Sequence, residues 1–174
     1  MLHSAERGGV VTGAGGGEAM DLYKVPKIET RVRILLDDGR TLDGSVFTSV
    51  TGPHGGPETI LDRLTDPTEE FVPLACGEDR LLLNKTGIIL VQCPPDALGP
   101  EADEKGAKEV PVRISLAGGT SLLGRLAIRM PPERARVLDY LNSAPRFVPL
   151  LGERQVTLVQ KHFVVTVRNA VEGE

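Results

Sequence analysis

The side chains able to do chemistry are few and widely spaced. Cys76 and Cys93 stand 17 residues apart with no Cys or His close to either. Structural zinc sites use close pairs of such ligands, so no metal site and no cofactor are expected. The two thiols read as reduced cysteines at strand ends. The three histidines, His3, His54 and His162, share no spacing. Two carboxylates, Asp62 and Asp139, follow helical leucines at matching places. A repeated carboxylate with no nucleophile or general base beside it reads as structural, bonding nearby backbone donors or an arginine. Lys85 and Lys161 also recur, in Asn-Lys and Gln-Lys turns. They read as charged hairpin tips, or as contacts to an anionic partner. Arg125, Arg129, Arg134, Arg136 and Arg146 complete the candidate interaction or anion-binding residues. No catalytic constellation forms, so the chain is expected not to be an enzyme.

These residues gain order from a second observation: the sequence repeats itself. Val32-Arg33-Ile34, Gly39, Leu42 and Gly44 match Val112-Arg113-Ile114, Gly119, Leu122 and Gly124 at an offset of 80. Leu61, Asp62 and Leu64 match Leu138, Asp139 and Leu141 at 77. Phe71-Val72-Pro73-Leu74 and Lys85 match Phe147-Val148-Pro149-Leu150 and Lys161 at 76. A sustained internal repeat predicts a tandem architecture.

Each repeat reads as four or five antiparallel strands with one short helix between the second and third. The chain is therefore expected to be mainly β (α+β), as two tandem, barrel-like units. Val32, Ile34 and Leu36 alternate with Arg31, Arg33 and Leu35, the period of a half-buried strand. Turns are predicted at Asp38-Gly39 and Gly118-Gly119. Pro57-Glu58 and Pro131-Pro132 are the expected helix starts. Asp66-Pro67 and the run Asn142-Ser143-Ala144-Pro145 are the expected stops. Phe71-Val72-Pro73-Leu74 and its copy begin a strand whose proline suggests an edge or a bulge.

Composition sets the domains. Of 174 residues, 40% are hydrophobic and 25% charged, ordinary for a folded chain. Residues 1–24 are glycine-rich without period and read as a disordered tail, with Met20 an alternative start. Repeat one spans 25–93, a Pro- and charge-rich linker 94–109, repeat two 110–169, and a short tail 170–174. No apolar run reaches the roughly 20 residues of a membrane helix, and the expected location is cytoplasmic. Residues 30–93 carry 6 Lys and Arg against 10 Asp and Glu; residues 110–169 carry 9 against 3. An acidic first repeat can thus dock a basic second one. The expected arrangement is a monomer with its repeats face to face about a pseudo-twofold axis, or otherwise a salt-dependent oligomer.

Leu138-Asp139-Tyr140-Leu141-Asn142-Ser143, then Phe147-Val148-Pro149-Leu150, then Val159-Gln160-Lys161, resembles an uncharacterised family of small bacterial β-rich proteins. Repeat one departs from it with Thr65 in place of Asn142. The opening Val-x-Ile-x-Leu-x-x-Gly-x-x-Leu-x-Gly is similar to Sm-like and SH3-like small barrels at the level of fold. The helix between strands two and three departs from the Sm pattern. Arg125-x-x-x-Arg129 has the arginine spacing of PilZ cyclic-dinucleotide sensors, without the companion Asp/Asn-x-Ser-x-x-Gly. These readings imply a non-enzymatic interaction, regulatory or scaffold module with an unidentified protein partner. Nucleic acid is the alternative partner through basic repeat two. Aromatic residues at 3% are few for base stacking.

Overall fold

Val32, Ile34 and Leu36 lie buried in the first strand, β1 (Lys27–Leu36), while Arg31 and Arg33 between them face solvent. The alternation expected from the sequence is thus realised. The structure is a computed structural model describing residues 25–99 and 106–171. The expected tail 1–24, its start at Met20, and parts of the linker and C-terminal tail lie outside the described residues. From β1 the chain turns at Gly39, whose φ of 86° favours glycine, into β2 (Thr41–Ser49). A loop and α1 (Ile60–Thr65) lead to β3 (Phe71–Cys76), β4 (Asp79–Asn84) and β5 (Ile88–Cys93). The second half runs β6 (Lys108–Leu116), β7 (Ser121–Ile128), α2 (Val137–Ser143), β8 (Phe147–Leu151), β9 (Val156–Gln160) and β10 (Val164–Asn169).

All ten strands belong to one antiparallel sheet, in the order β10-β6-β7-β8-β9-β5-β1-β2-β3-β4. Among the described residues the sheet does not close on itself: β10 and β4 are its two ends. The halves do not meet face to face. They join edge to edge, β5 against β9, with Leu90 opposite Val159 and Val91 opposite Leu158. This seam pairs the fifth strand of one half with the fourth strand of the other. It is a head-to-tail joint, where a twofold would have paired like with like.

Burial follows from the seam. Parallel-type continuous hydrophobicity, Ile88-Ile89-Leu90-Val91, marks a strand covered on both faces. The described residues form two apolar cores, and β5 serves both. Ile88, Val91 and Cys93 enter the first core; Ile89 and Leu90 enter the second. A register shift between β1 and β5 makes this work: Leu36 faces Ile88 but Leu35 faces Leu90, leaving Ile89 as the extra residue of a bulge. In return, Phe147, Val156 and Leu158 of the second half complete the first core.

The Phe-Val-Pro-Leu strands sit inside the sheet with no register shift against β4 or β9, correcting the expectation of an edge or a bulge. Pro73 and Pro149 are tolerated there because β2 meets β3 only at Ser45 and Ala75, and β7 meets β8 only at Arg125 and Leu151. A missing amide donor costs little where the ladder is already absent. Instead the backbones cross closely. A Cβ on Gly44 would lie 2.5 Å from Ala75 O, and one on Gly124 would lie 2.7 Å from Leu150 Cγ. The recurrent glycines of the second strands exist for that approach.

The helices are shorter than the prolines implied. Thr59, not Pro57, starts α1: its Oγ1 accepts from the Asp62 amide at 3.0 Å, and Asp62 Oδ2 accepts from the Thr59 amide at 2.9 Å. This reciprocal capping box holds a six-residue helix. Pro132–Arg134 form a separate 3-10 turn before α2 begins at Val137. The linker is also partly ordered: Pro95–Leu98 make a 3-10 turn that lays Ala97 and Leu98 on the first core.

Candidate functional site

Both recurrent lysines are structural, correcting the hairpin-tip reading. Lys85 is 1% exposed, and its Nζ donates to Asp66 O at 3.1 Å, just beyond α1. Lys161 Nζ donates to Leu141 O at 2.8 Å and to Ala144 O, at the end of α2. A cation at a helix C-terminus satisfies carbonyls that have no partner within the helix and complements the helix dipole. Burial lowers the pKa of the Lys85 ammonium, against the opposing pull of Asp66. Both amines donate to carbonyls of the chain itself.

Asp62 serves α1 as its capping-box carboxylate, the backbone role expected of it. Asp139 occupies the corresponding third position of α2, where Arg136 supplies no side-chain cap. Ile60 and Leu64 are buried beneath α1, with Leu61 half-buried. In α2 the inward face is Val137, Tyr140 and Leu141. Leu138 points outward, 67% exposed, and Asn142 is exposed. Residues one, four and five of a two-turn helix share a face, which leaves the second outside.

The arginines do not converge as one site. Arg125 Nε is 3.2 Å from Glu109 Oε2, its neighbour across the β6–β7 hairpin. Arg129 lies at the end of β7 in a cleft. Arg134 and Arg136 precede α2, and Arg146 precedes β8; all three are exposed. The Arg125–Arg129 pair of the sensor reading is thus divided between an ion pair and a cleft wall.

That cleft, about 540 Å³, opens where the halves meet and is lined by His54, Asp62, Leu98, Arg129, Tyr140 and Pro149. His54 Nε2 lies 3.5 Å from Asp62 Oδ1. The carboxylate is already engaged in capping α1, so this histidine sits beside a structural acid. Burial raises the Tyr140 phenol pKa, with Arg129 opposing it. The lining is a mostly apolar wall with a few polar groups, the usual makeup of a small-ligand cleft.

The cysteines are unpaired, Cys93 buried at the end of β5 and Cys76 half-buried at the end of β3. Desolvation, with Asp96 nearby, pushes the Cys93 thiol up to about 12. The thiolate is the reactive form. Cys93 is therefore expected to resist iodoacetamide at pH 8 in the folded protein and to label fully in denaturant. Mass spectrometry of peptides labelled before and after unfolding checks this, and labelling of Cys93 in the folded chain at the rate of a free thiol would refute it.

The ends of the sheet show a different property, one that the sequence reading missed. Phe147 is 0% exposed, but its counterpart Phe71 is 48% exposed. Leu158 is 0% exposed, and its counterpart Leu82 on end strand β4 is 72% exposed. Ile89 is 8% exposed, and Val165 on end strand β10 is 65% exposed. Val165 is again a bulge residue, since Val164 faces Leu116 while Thr166 faces Ser115. Every one of these apolar side chains is buried at the seam and uncovered at a sheet end. The available signal was the unbroken apolar triplet Leu81-Leu82-Leu83, which lacks the polar alternation of a solvated edge.

No helix among the described residues is long and apolar enough to cross a membrane. No family model, curated protein or solved structure matches this chain.

Proposed function

We propose that the chain is a non-enzymatic protein-interaction or scaffold module, built from one small β domain present twice, whose sheet ends receive strands of a partner. Each copy is a barrel-like unit of five strands with one short helix. Support for the duplication comes from the strand order, five-one-two-three-four in both halves. It comes also from the matched bulges, close-approach glycines and lysines that donate to helix-end carbonyls. The two unpaired cysteines fit a reducing compartment such as the cytoplasm.

The observation that carries the interaction reading is the pair of open edges bearing exposed Leu82 and Val165. Unpaired edge strands template further pairing, and soluble proteins usually blunt them with charge or proline. These edges carry Arg80 and Arg168, but exposed Leu82 and Val165 stand beside them, side chains that strand-adding recognition can use as anchors. A photo-crosslinking residue placed at Leu82 or Val165, in the cells that make the protein, is expected to give protein adducts. The same residue at Leu138, equally exposed but on α2, should give only background. Absence of adducts at both edge positions would remove this function.

A further inference from the structure

We infer that the partner at these edges is a second copy of the same chain, joined head to tail with β4 of one molecule against β10 of the next. The inference rests on the reading of the sheet ends as docking edges and names their occupant. Its ground is that the chain already contains this interface once. The seam joins the fifth strand of the first half, β5, to the fourth strand of the second half, β9. The strands left open are the complementary pair: fourth strand β4 at one end, fifth strand β10 at the other.

Carrying the seam's register over sets Thr166 opposite Leu83, Val167 opposite Leu82 and Arg168 opposite Leu81. Three apolar contacts of the seam then have their counterparts in place. Bulge residue Val165 takes the position of Ile89, Leu82 that of Leu158, and Phe71 that of Phe147. Each is solvated in the single chain and would be covered in the joint. Charge agrees as well. The half that ends in β4 carries 6 Lys and Arg against 10 Asp and Glu, and the half that ends in β10 carries 9 against 3. A head-to-tail joint places an acidic half against a basic one, whereas joining two β4 ends would place acid against acid.

The outer joint is more polar than the seam. Arg80 replaces Val156, Asn169 replaces Cys93, and Arg168 replaces Gln92. Gln160 Nε2 donates across the seam to Thr86 O at 3.0 Å. Its counterpart Asn84 is occupied in its own turn, accepting from the Thr86 amide at 2.9 Å. The joint between chains is therefore weaker than the seam within one, and it depends on protein concentration and salt. Because the two contacting surfaces differ, the contact repeats, giving a ring where the rotation closes and a filament where it does not.

Light scattering on the purified full-length chain tests this with two variants, Leu82→Lys and Val165→Lys. Both positions are exposed in the single chain, so the variants should keep the wild-type melting curve at high dilution. In the joint each would bury an unpaired ammonium. The wild-type protein is expected to exceed twice its 18.6 kDa monomer mass as concentration rises. High salt should shift it toward monomer. Each variant alone lacks one of the two required edges and should remain monomeric. A 1:1 mixture retains one intact β10 and one intact β4, and should form a dimer that grows no further. A wild-type monomer at every concentration, an oligomer indifferent to both variants, or a mixture that stays monomeric would overturn the inference. Edge crosslinks to a different protein, found with a monomeric purified chain, would leave the interaction function standing and remove only self-assembly.

Discussion

Replacing Phe147 with Ala is expected to lower stability by about 4 kcal/mol, the range for deleting a fully buried aromatic side chain. The same change at Phe71, where about half of the side chain is still covered, should cost the dilute chain only about 1–2 kcal/mol. The sequence alone would treat these residues alike, since both open a Phe-Val-Pro-Leu strand. The fold separates them. Phe147 belongs to the second half but is 0% exposed within the first core, where the seam closes over it. Phe71 stands at the uncovered end, 48% exposed. Urea unfolding at low protein concentration measures both. The cores share β5 and β9, so the loss at Phe147 should appear as a shift of one transition. Equal losses at the two positions would show that the first core does not depend on the seam.

A second large effect is expected at the lysines. Lys161→Ala should cost about 2 kcal/mol, combining the loss of a half-buried stem with two helix-end carbonyls left without this donor. Lys161→Met keeps most of the stem and removes only the donor, so it should cost about 1.5 kcal/mol. Lys85 donates to one carbonyl where Lys161 donates to two, but its stem is fully buried, so it should follow the same order with losses at least as large. Chemical denaturation of the four variants decides. If alanine at either site were neutral, that lysine would be a solvated turn charge, as its place between two strands suggested.

The strands were legible because their information is local. Alternation in Val32-Arg33-Ile34 records a surface with one wet face, and turn glycines record a backbone conformation, so both survive in the linear chain. Helix starts were read too early because proline marks a permissible first turn, while the capping box of Thr59 and Asp62 fixes the actual one. Recurrence of Lys85, Lys161, Gly44 and Gly124 was plain in the sequence, but the reason for it was not. Each answers an atom distant along the chain: a carbonyl at a helix end, or a strand crossing at contact distance.

By itself the sequence determined a mainly β protein, its turns, the residues that recur and the lack of any close zinc-ligand pair. Only the tertiary structure decided how the halves meet. Pairing β5 with β9 uses backbone groups that every residue but proline carries, so the choice of a head-to-tail seam over a face-to-face twofold leaves little trace in composition. That seam also decides which of two equivalent apolar residues is core and which is surface. Phe147 and Phe71, Leu158 and Leu82, and Ile89 and Val165 are near-identical in chemistry, and differ in whether a neighbouring strand removes them from water.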